Sequence, residues 1–174
     1  MVADLADTPS ARLCGSCGMC CDGVLFHAVE LQKGDNPRQL ASLGLKLRSK
    51  KGVSSFLQPC SAHREEGGRC SCSIYDQRPQ RCKNFDCQQL RGLLSGTIAE
   101  DLALERVQQA RTQVERVLGL LDRISPTNPN RSLAHRVANA LTLPPGVERG
   151  APHEELETAM KGLESLLQKE FRVS

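Results

Sequence analysis

Tryptophan is absent from the 174 residues, tyrosine occurs once and phenylalanine four times. The large rings that usually anchor a core are therefore scarce. No stretch approaches 18 consecutive apolar residues, so the sequence offers no membrane-spanning helix. The opening, MVADLADTPSAR, has neither a basic n-region nor an apolar h-region; no secretory signal is read, and the cytoplasm is the expected compartment. There is no phosphate-cradling glycine loop and no nucleophile elbow. No acid–base pair stands out either, so no catalytic residue is assigned. Strong charge of one sign is missing too: 23 Lys+Arg face 20 Asp+Glu, a net +3.

What the chain does have is cysteine. All nine fall between Cys14 and Cys87, and none follows. Such density in a short secreted chain reads as a disulfide scaffold; without an export signal, a reducing compartment favours metal or redox chemistry. The chain thus divides by composition. Residues 1–95 hold every cysteine and 13 Lys+Arg against 9 Asp+Glu, whereas residues 96–174 hold none and look helical. The expected fold is mostly α, with an irregular, metal-stapled Cys-rich core over 1–95 and C-terminal helices over 96–174 packed on it.

The helices show in the periodicity. Ala103, Val107, Ala110, Val114, Val117, Leu121 and Ile124 recur at spacings of 4 and 3, which predicts a helix over 97–124. Ser125-Pro126 stops it. A shorter helix is predicted over 132–141, closed by Pro144-Pro145-Gly146. A third, over 153–171, places Leu156, Met160, Leu163, Leu167 and Phe171 near one face. Packing within one chain is expected in preference to a coiled-coil dimer, because three heptads containing two alanines make a weak zipper. Residues 30–47 read as one or two short helices around Asn36-Pro37, followed by a basic run of Lys46, Arg48, Lys50 and Lys51.

The first cysteine cluster reads Cys14-Gly-Ser-Cys17-Gly-Met-Cys20-Cys21. Two intervening residues let a tight turn aim two thiolates at one ion, with Gly15 and Gly18 free to take positive φ. Side chains of the vicinal pair Cys20 and Cys21 diverge, so one is free to serve a first centre and the other a second. Cys60, Cys70, Cys72, Cys82 and Cys87 need the fold to gather them. Nine cysteines suffice for two four-thiolate sites with one spare, or for one metal and several bystanders. Zinc usually takes two separated Cys-x2-Cys pairs. A Cys-x2-Cys-x2-Cys run with a remote fourth ligand suits an iron–sulfur cluster, so the spacing leans slightly to iron–sulfur over zinc.

The same stretch carries a resemblance. Cys14, Cys17, Cys20 and Cys21, then Cys60, then Cys72-x-Ile74-Tyr75, Arg78-Pro79, Cys82 with Phe85, and Cys87 together resemble the YkgJ-type cysteine-cluster family, zinc- or iron-chelating proteins with a CxxCxxCC motif. It covers about residues 14–87. Two positions depart from the pattern: Ser61 stands where the family tends to have Pro, and Lys83 where it has Arg, losing the planar fork. The resemblance implies metal binding by Cys14, Cys17, Cys20, Cys21, Cys60, Cys72, Cys82 and Cys87. Cys70 is extra to the pattern and is the candidate spare, while His63, at Cys-x2-His spacing from Cys60, is a candidate extra ligand. Arg78 and Arg81 flank Cys82 as candidate donors to sulfur. Tyr75 is placed beside the loops with Phe85, as a core anchor. Three functions follow: a redox or accessory metal protein, a zinc-stabilised adaptor for a protein partner, and, ranked lower, a nucleic-acid-binding module using the basic run.

Overall fold

The computed structural model describes residues 8–124, 126–144 and 148–173. Its described residues form seven α-helices and five short strands, in the order α1 (Pro9–Cys17), β1 (Ala28–Glu30), α2 (Pro37–Ser42), β2 (Leu47–Lys50), β3 (Val53–Leu57), β4 (His63–Glu66), β5 (Arg69–Cys72), α3 (Gln80–Lys83), α4 (Gln88–Ser95), α5 (Glu100–Ile124), α6 (Leu133–Leu141) and α7 (Ala151–Glu170). Mostly α is therefore right. The helix predicted over 97–124 is α5, the one over 132–141 is α6, and the one over 153–171 is α7, each within three residues of the predicted ends. Of the stop signals, Ser125 and Pro145-Gly146 lie outside the described residues, as do the first seven residues.

The long stripe does its work inside the chain. Ala103, Val107, Ala110, Val114, Val117 and Leu121 are all buried on α5, and Leu156, Met160, Leu163 and Leu167 are buried on α7, which packs along it. α1 joins the same core: Leu13 and Cys17, with Met19, Val24 and Leu25 beyond it, lie in one apolar cluster with residues of α5, α6 and α7. The core thus draws on both sides of residue 95. Polar ties reinforce the joint. Arg12 of α1 forks onto Glu100 of α5 at 2.7 and 2.9 Å, and the backbone N–H of Gln88 donates to Phe171 O at 3.0 Å.

The irregular N-terminal core expected from composition is corrected by two small antiparallel sheets. One has the order β1-β3-β2, the other pairs β4 with β5. Each contains a hairpin closed by two residues of positive φ, Lys51-Gly52 (51° and 79°) and Gly67-Gly68 (56° and 75°). That geometry matches the right-handed twist of the flanking strands. Residues 30–47 form one helix rather than two. Asn36 caps α2, its Oδ1 accepting from Gln39 N at 3.2 Å, and Pro37 opens it; the flanks of the segment belong to strands. A second, smaller core of Val29, Leu40, Leu45, Phe56, Ala62 and Ile74 lies under these sheets. No helix among the described residues is long and apolar enough to cross a membrane.

Leu163 is fully buried between α7 and its neighbours. Leu163→Ala is expected to cost about 2–5 kcal/mol of unfolding free energy, read by urea denaturation followed at 222 nm. An unchanged midpoint would mean that α7 does not seal the larger core.

Candidate metal centre

Cys14 and Cys17 lie one turn apart on α1, so both project from one helix face. The tight turn expected at this pair is instead helix. Thr8 caps α1 by accepting from Ala11 N at 3.2 Å, and Pro9 starts it. Gly15 is therefore helical and buried, and does not use positive φ. Gly18 does: at φ 64° it ends the helix, its N–H reaching back to Cys14 O at 3.1 Å. The chain then reverses through a turn in which Cys21 N donates to Gly18 O at 2.8 Å. Cys20 and Cys21 sit on that turn. Cys87 stands at the N-cap of α4, which packs against α1.

The thiols fall into two groups, by packing and by electrostatics alike. Cys17, Cys20 and Cys87 pack on the larger core, whereas Cys60, Cys72 and Cys82 pack on the smaller one. Within the first group the charges of Cys14, Cys17, Cys20 and Cys87 act on one another. Within the second, Cys21, Cys60, Cys72 and Cys82 do the same. The vicinal pair is where the groups meet, since Cys21 also acts on Cys20.

Burial dominates the titration of these groups. It pushes the Cys17 thiol from its ordinary value of 9.0 to about 12; the thiols of Cys87 and Cys14 add to the rise, and the Met19 N–H opposes it. Cys82 rises to about 11, by burial first and then by Cys60 and Cys72. Cys20 and Cys21 are both pushed well up by burial and by their own groups. Local donors work against this at two more thiols. The N–H groups of Ala62 and His63 face Cys60, the former at 3.4 Å from Sγ. Those of Leu90 and Gln89, at the start of α4, face Cys87.

Cys70 stands apart. Burial raises its thiol, and the charged groups that act on it most are Arg111, Glu65 and Asp22. It lies against the backbone of the first cluster, because a Cβ placed on Gly18 would meet Cys70 Sγ at 2.5 Å and Arg111 Nη2 at 2.9 Å. His63 sits opposite Cys72 in the β4–β5 pair, and its Nε2 is buried without a partner among the described residues. Tyr75 overturns its expected role. It is 60% exposed, with the Arg78 guanidinium 3.8 Å from its ring centroid, while Ile74 beside it takes the buried place. Arg78 is held by a bond from its Nε to Tyr75 O at 2.9 Å, and its charge acts on Cys14 of one group and Cys82 of the other. Arg81 lies exposed on α3. Phe85 is half buried and packs edge to face on Phe26, centroids 4.9 Å apart.

Three residues at the site carry no motif. Arg111 of α5 donates to Asp22 Oδ2 at 2.6 Å and to the carbonyl of Cys17, while Asp22 Oδ1 accepts from Val24 N at 3.0 Å. Gln58, after β3, is buried and donates from Nε2 to Cys20 O at 3.3 Å. No periodicity or spacing marks these partners, which are 38 to 94 residues apart in the chain.

All nine cysteines are free thiols. Among the described residues no three His, Cys, Asp or Glu side chains are grouped so that they could hold a metal ion as they stand. The chemistry of the donors is nonetheless that of ligands for a thiophilic metal: nine free thiols, most of them partly buried, with backbone N–H groups aimed at several sulfurs. Protonated, such thiols have no strong reason to cluster; deprotonated, four together need a cation.

A family model described as "Putative zinc- or iron-chelating domain", under the name CxxCxxCC, matches residues 13–112. The match extends past Cys87, where the motif resemblance ends, and takes in Arg111 on α5. No match was found among curated proteins or among solved structures.

Two predictions follow from the geometry. A raised thiol holds its proton more tightly folded than unfolded, so its contribution to the metal-free fold is complete below about pH 9 and is lost as pH climbs through about 12. The metal-free protein should therefore lose denaturation midpoint steadily above pH 9; a flat profile to pH 11 would show that the thiols are not buried together. Gly18→Ala places a methyl against Cys70 and Arg111 at a positive φ. It should lower the melting temperature of the metal-free protein, by about 1–3 kcal/mol of stability, and a neutral result would remove Gly18 from the architecture of the site.

Proposed function

The chain belongs to the CxxCxxCC family of zinc- or iron-chelating domains, and from that premise we propose that it holds two metal centres. Cys14, Cys17, Cys20 and Cys87 bind one; Cys21, Cys60, Cys72 and Cys82 bind the other. The observation that carries this reading is the packing of Cys17, Cys20 and Cys87 on the larger core and of Cys60, Cys72 and Cys82 on the smaller one, with Cys14 one helical turn before Cys17 and Cys21 next to Cys20. Cys70 is left as the spare thiol. His63, opposite Cys72 and with its Nε2 buried without a partner among the described residues, is a nitrogen donor in reserve for the second centre.

Loaded with iron and sulfide the centres supply one-electron redox chemistry, and loaded with zinc they supply folding free energy. The first set takes three thiols from one short stretch and a fourth from far along the chain, which suits an iron–sulfur cluster. The second draws on four separated positions and suits either metal. The chain's own groups prepare the sites: backbone N–H donors of Met19, Ala62 and Leu90 favour thiolate at Cys17, Cys60 and Cys87. Arg78 lends positive charge to both sets. We read residues 1–95 as the metal-binding unit and 96–174 as helices that seal it and offer a surface to a protein partner, in a monomer. The role is accessory, as a redox carrier if the metal is iron and as an adaptor if it is zinc. A nucleic-acid reading has one observation in its favour, the exposed Arg48 and Lys50 on one face of β2 beside Lys51; a salt-dependent mobility shift decides it.

The decisive test is anaerobic purification with metal and acid-labile sulfide analysis. Brown protein with about four iron and four sulfide per cluster establishes iron–sulfur. Colourless protein with about two zinc establishes two tetrathiolate sites. Protein that retains neither metal, and takes up neither on reconstitution, refutes the proposal. Loaded protein should lose stability on acidification, as protons compete with metal for thiolate, the reverse of the slope expected for the metal-free chain. Replacing Cys17 and Cys20 together by Ser should expose residues 1–95 to protease, with a matching loss of circular dichroism; an unchanged digestion pattern would make the first centre dispensable to the fold.

A further inference from the structure

Gln58 is 2% exposed, at the point where β3 gives way to Pro59 and Cys60. Its backbone N–H donates to His27 O at 3.0 Å and its side-chain Nε2 to Cys20 O at 3.3 Å. Two residues on, the backbone N–H of Cys60 donates to Cys21 O at 2.8 Å. The segment 58–60 therefore grips both carbonyls of the vicinal cysteine pair. Packing does not account for the residue type. A buried carboxamide is costly to place, and the Oε1 of Gln58 has no partner among the described residues; Met or Leu would fill the space as well, so what the carboxamide adds is its bond to Cys20 O.

We infer that Gln58 is a positioning residue for both metal centres, acting through the peptide between Cys20 and Cys21. The inference rests on the two-centre reading above. Consecutive side chains leave a shared backbone in divergent directions, so the orientation of one peptide plane sets where Cys20 points and where Cys21 points. Turning that plane displaces a ligand of each centre at once. Cys21 N holds this plane from one side by donating to Gly18 O at 2.8 Å, and Gln58 holds it from the other at the Cys20 carbonyl while ligating nothing; Cys60, itself a ligand of the second centre, holds the next peptide at the Cys21 carbonyl. Loss of such an outer partner typically weakens metal binding by 10- to 100-fold. A ligand substitution, by contrast, abolishes one site and spares the other.

The test is titration of the reduced, metal-free full chain with Co²⁺, followed by its thiolate-to-metal charge-transfer and d–d bands. Wild type should take up about two equivalents, whereas Cys14→Ser and Cys82→Ser should each take up about one. Gln58→Met should keep two equivalents but bind both about tenfold or more weakly, with shifted d–d bands and unchanged helix content. Wild-type binding of fewer than two equivalents refutes the two-centre reading itself. With two bound, wild-type affinity at both sites in Gln58→Met, or weakening confined to one, overturns the inference. Should Gln58→Met fail to fold, the side-chain amide resonances of Gln58 decide the matter in Cys14→Ser and Cys82→Ser. They should shift when either variant fills its remaining site, and a shift in one variant alone, or in neither, overturns the inference.

Discussion

Adjacent side chains cannot converge on one point, and the rest of this molecule is arranged around that constraint at Cys20 and Cys21. Cys20 lies with thiols from α1 and the start of α4, packed on the helical core; Cys21 lies with thiols carried by the sheet-bearing segment. The turn bearing the pair exists because α1 ends at a left-handed Gly18, and it is closed by Gly18 O accepting from Cys21 N. The vicinal pair is thus one place where the two cores meet; α1 against β5 is another.

Desolvation then decides what the thiols need. A buried thiol resists ionising, and every neighbour that ionises makes the next harder, which is why Cys17, Cys20, Cys21 and Cys82 all rise. A divalent ion reverses this order, because it stabilises four thiolates together where water is scarce. The cysteine half has one tyrosine and no tryptophan, so a zinc-type site there would contribute on the order of 10 kcal/mol where large ring packing is scarce.

Much of this was legible in the order of residues, and the exceptions have physical causes. The helices α5, α6 and α7 follow from spacing alone, since their apolar stripes repeat over several turns. The strands were missed because they run three to five residues, mostly exposed, and are too short for alternation to register. The Gly67-Gly68 pair between them was nonetheless a readable hairpin signal. Cys14-Gly-Ser-Cys17 looked like a loop because glycine is a poor helix former, yet Thr8, Pro9 and Gly18 supply the cap, the start and the stop of α1. Tyr75 was assigned to a core that its neighbour Ile74 occupies. Gln58, Asp22 and Arg111 carried no signal at all, since each acts on a backbone group or an ion-pair partner that only the fold brings near.

Arg111 shows why the helices are more than a lid. From the middle of α5 it reaches the Asp22 carboxylate and the Cys17 carbonyl, so it ties the helical core to both ends of the cysteine turn. The ion pair is partly buried, its two side chains 23% and 18% exposed, a setting in which charge pairs are screened less than at the surface. The pair connects in both directions. A change in the conformation of the turn bears directly on α5, and α5 packs against α7 along its length. The partly buried ion pair thus joins α5 to the cysteine turn, and the packing of α5 on α7 carries that connection to the last helix. The family match extends past the last cysteine to residue 112 and so takes in the arginine that joins the cysteine turn to the helices.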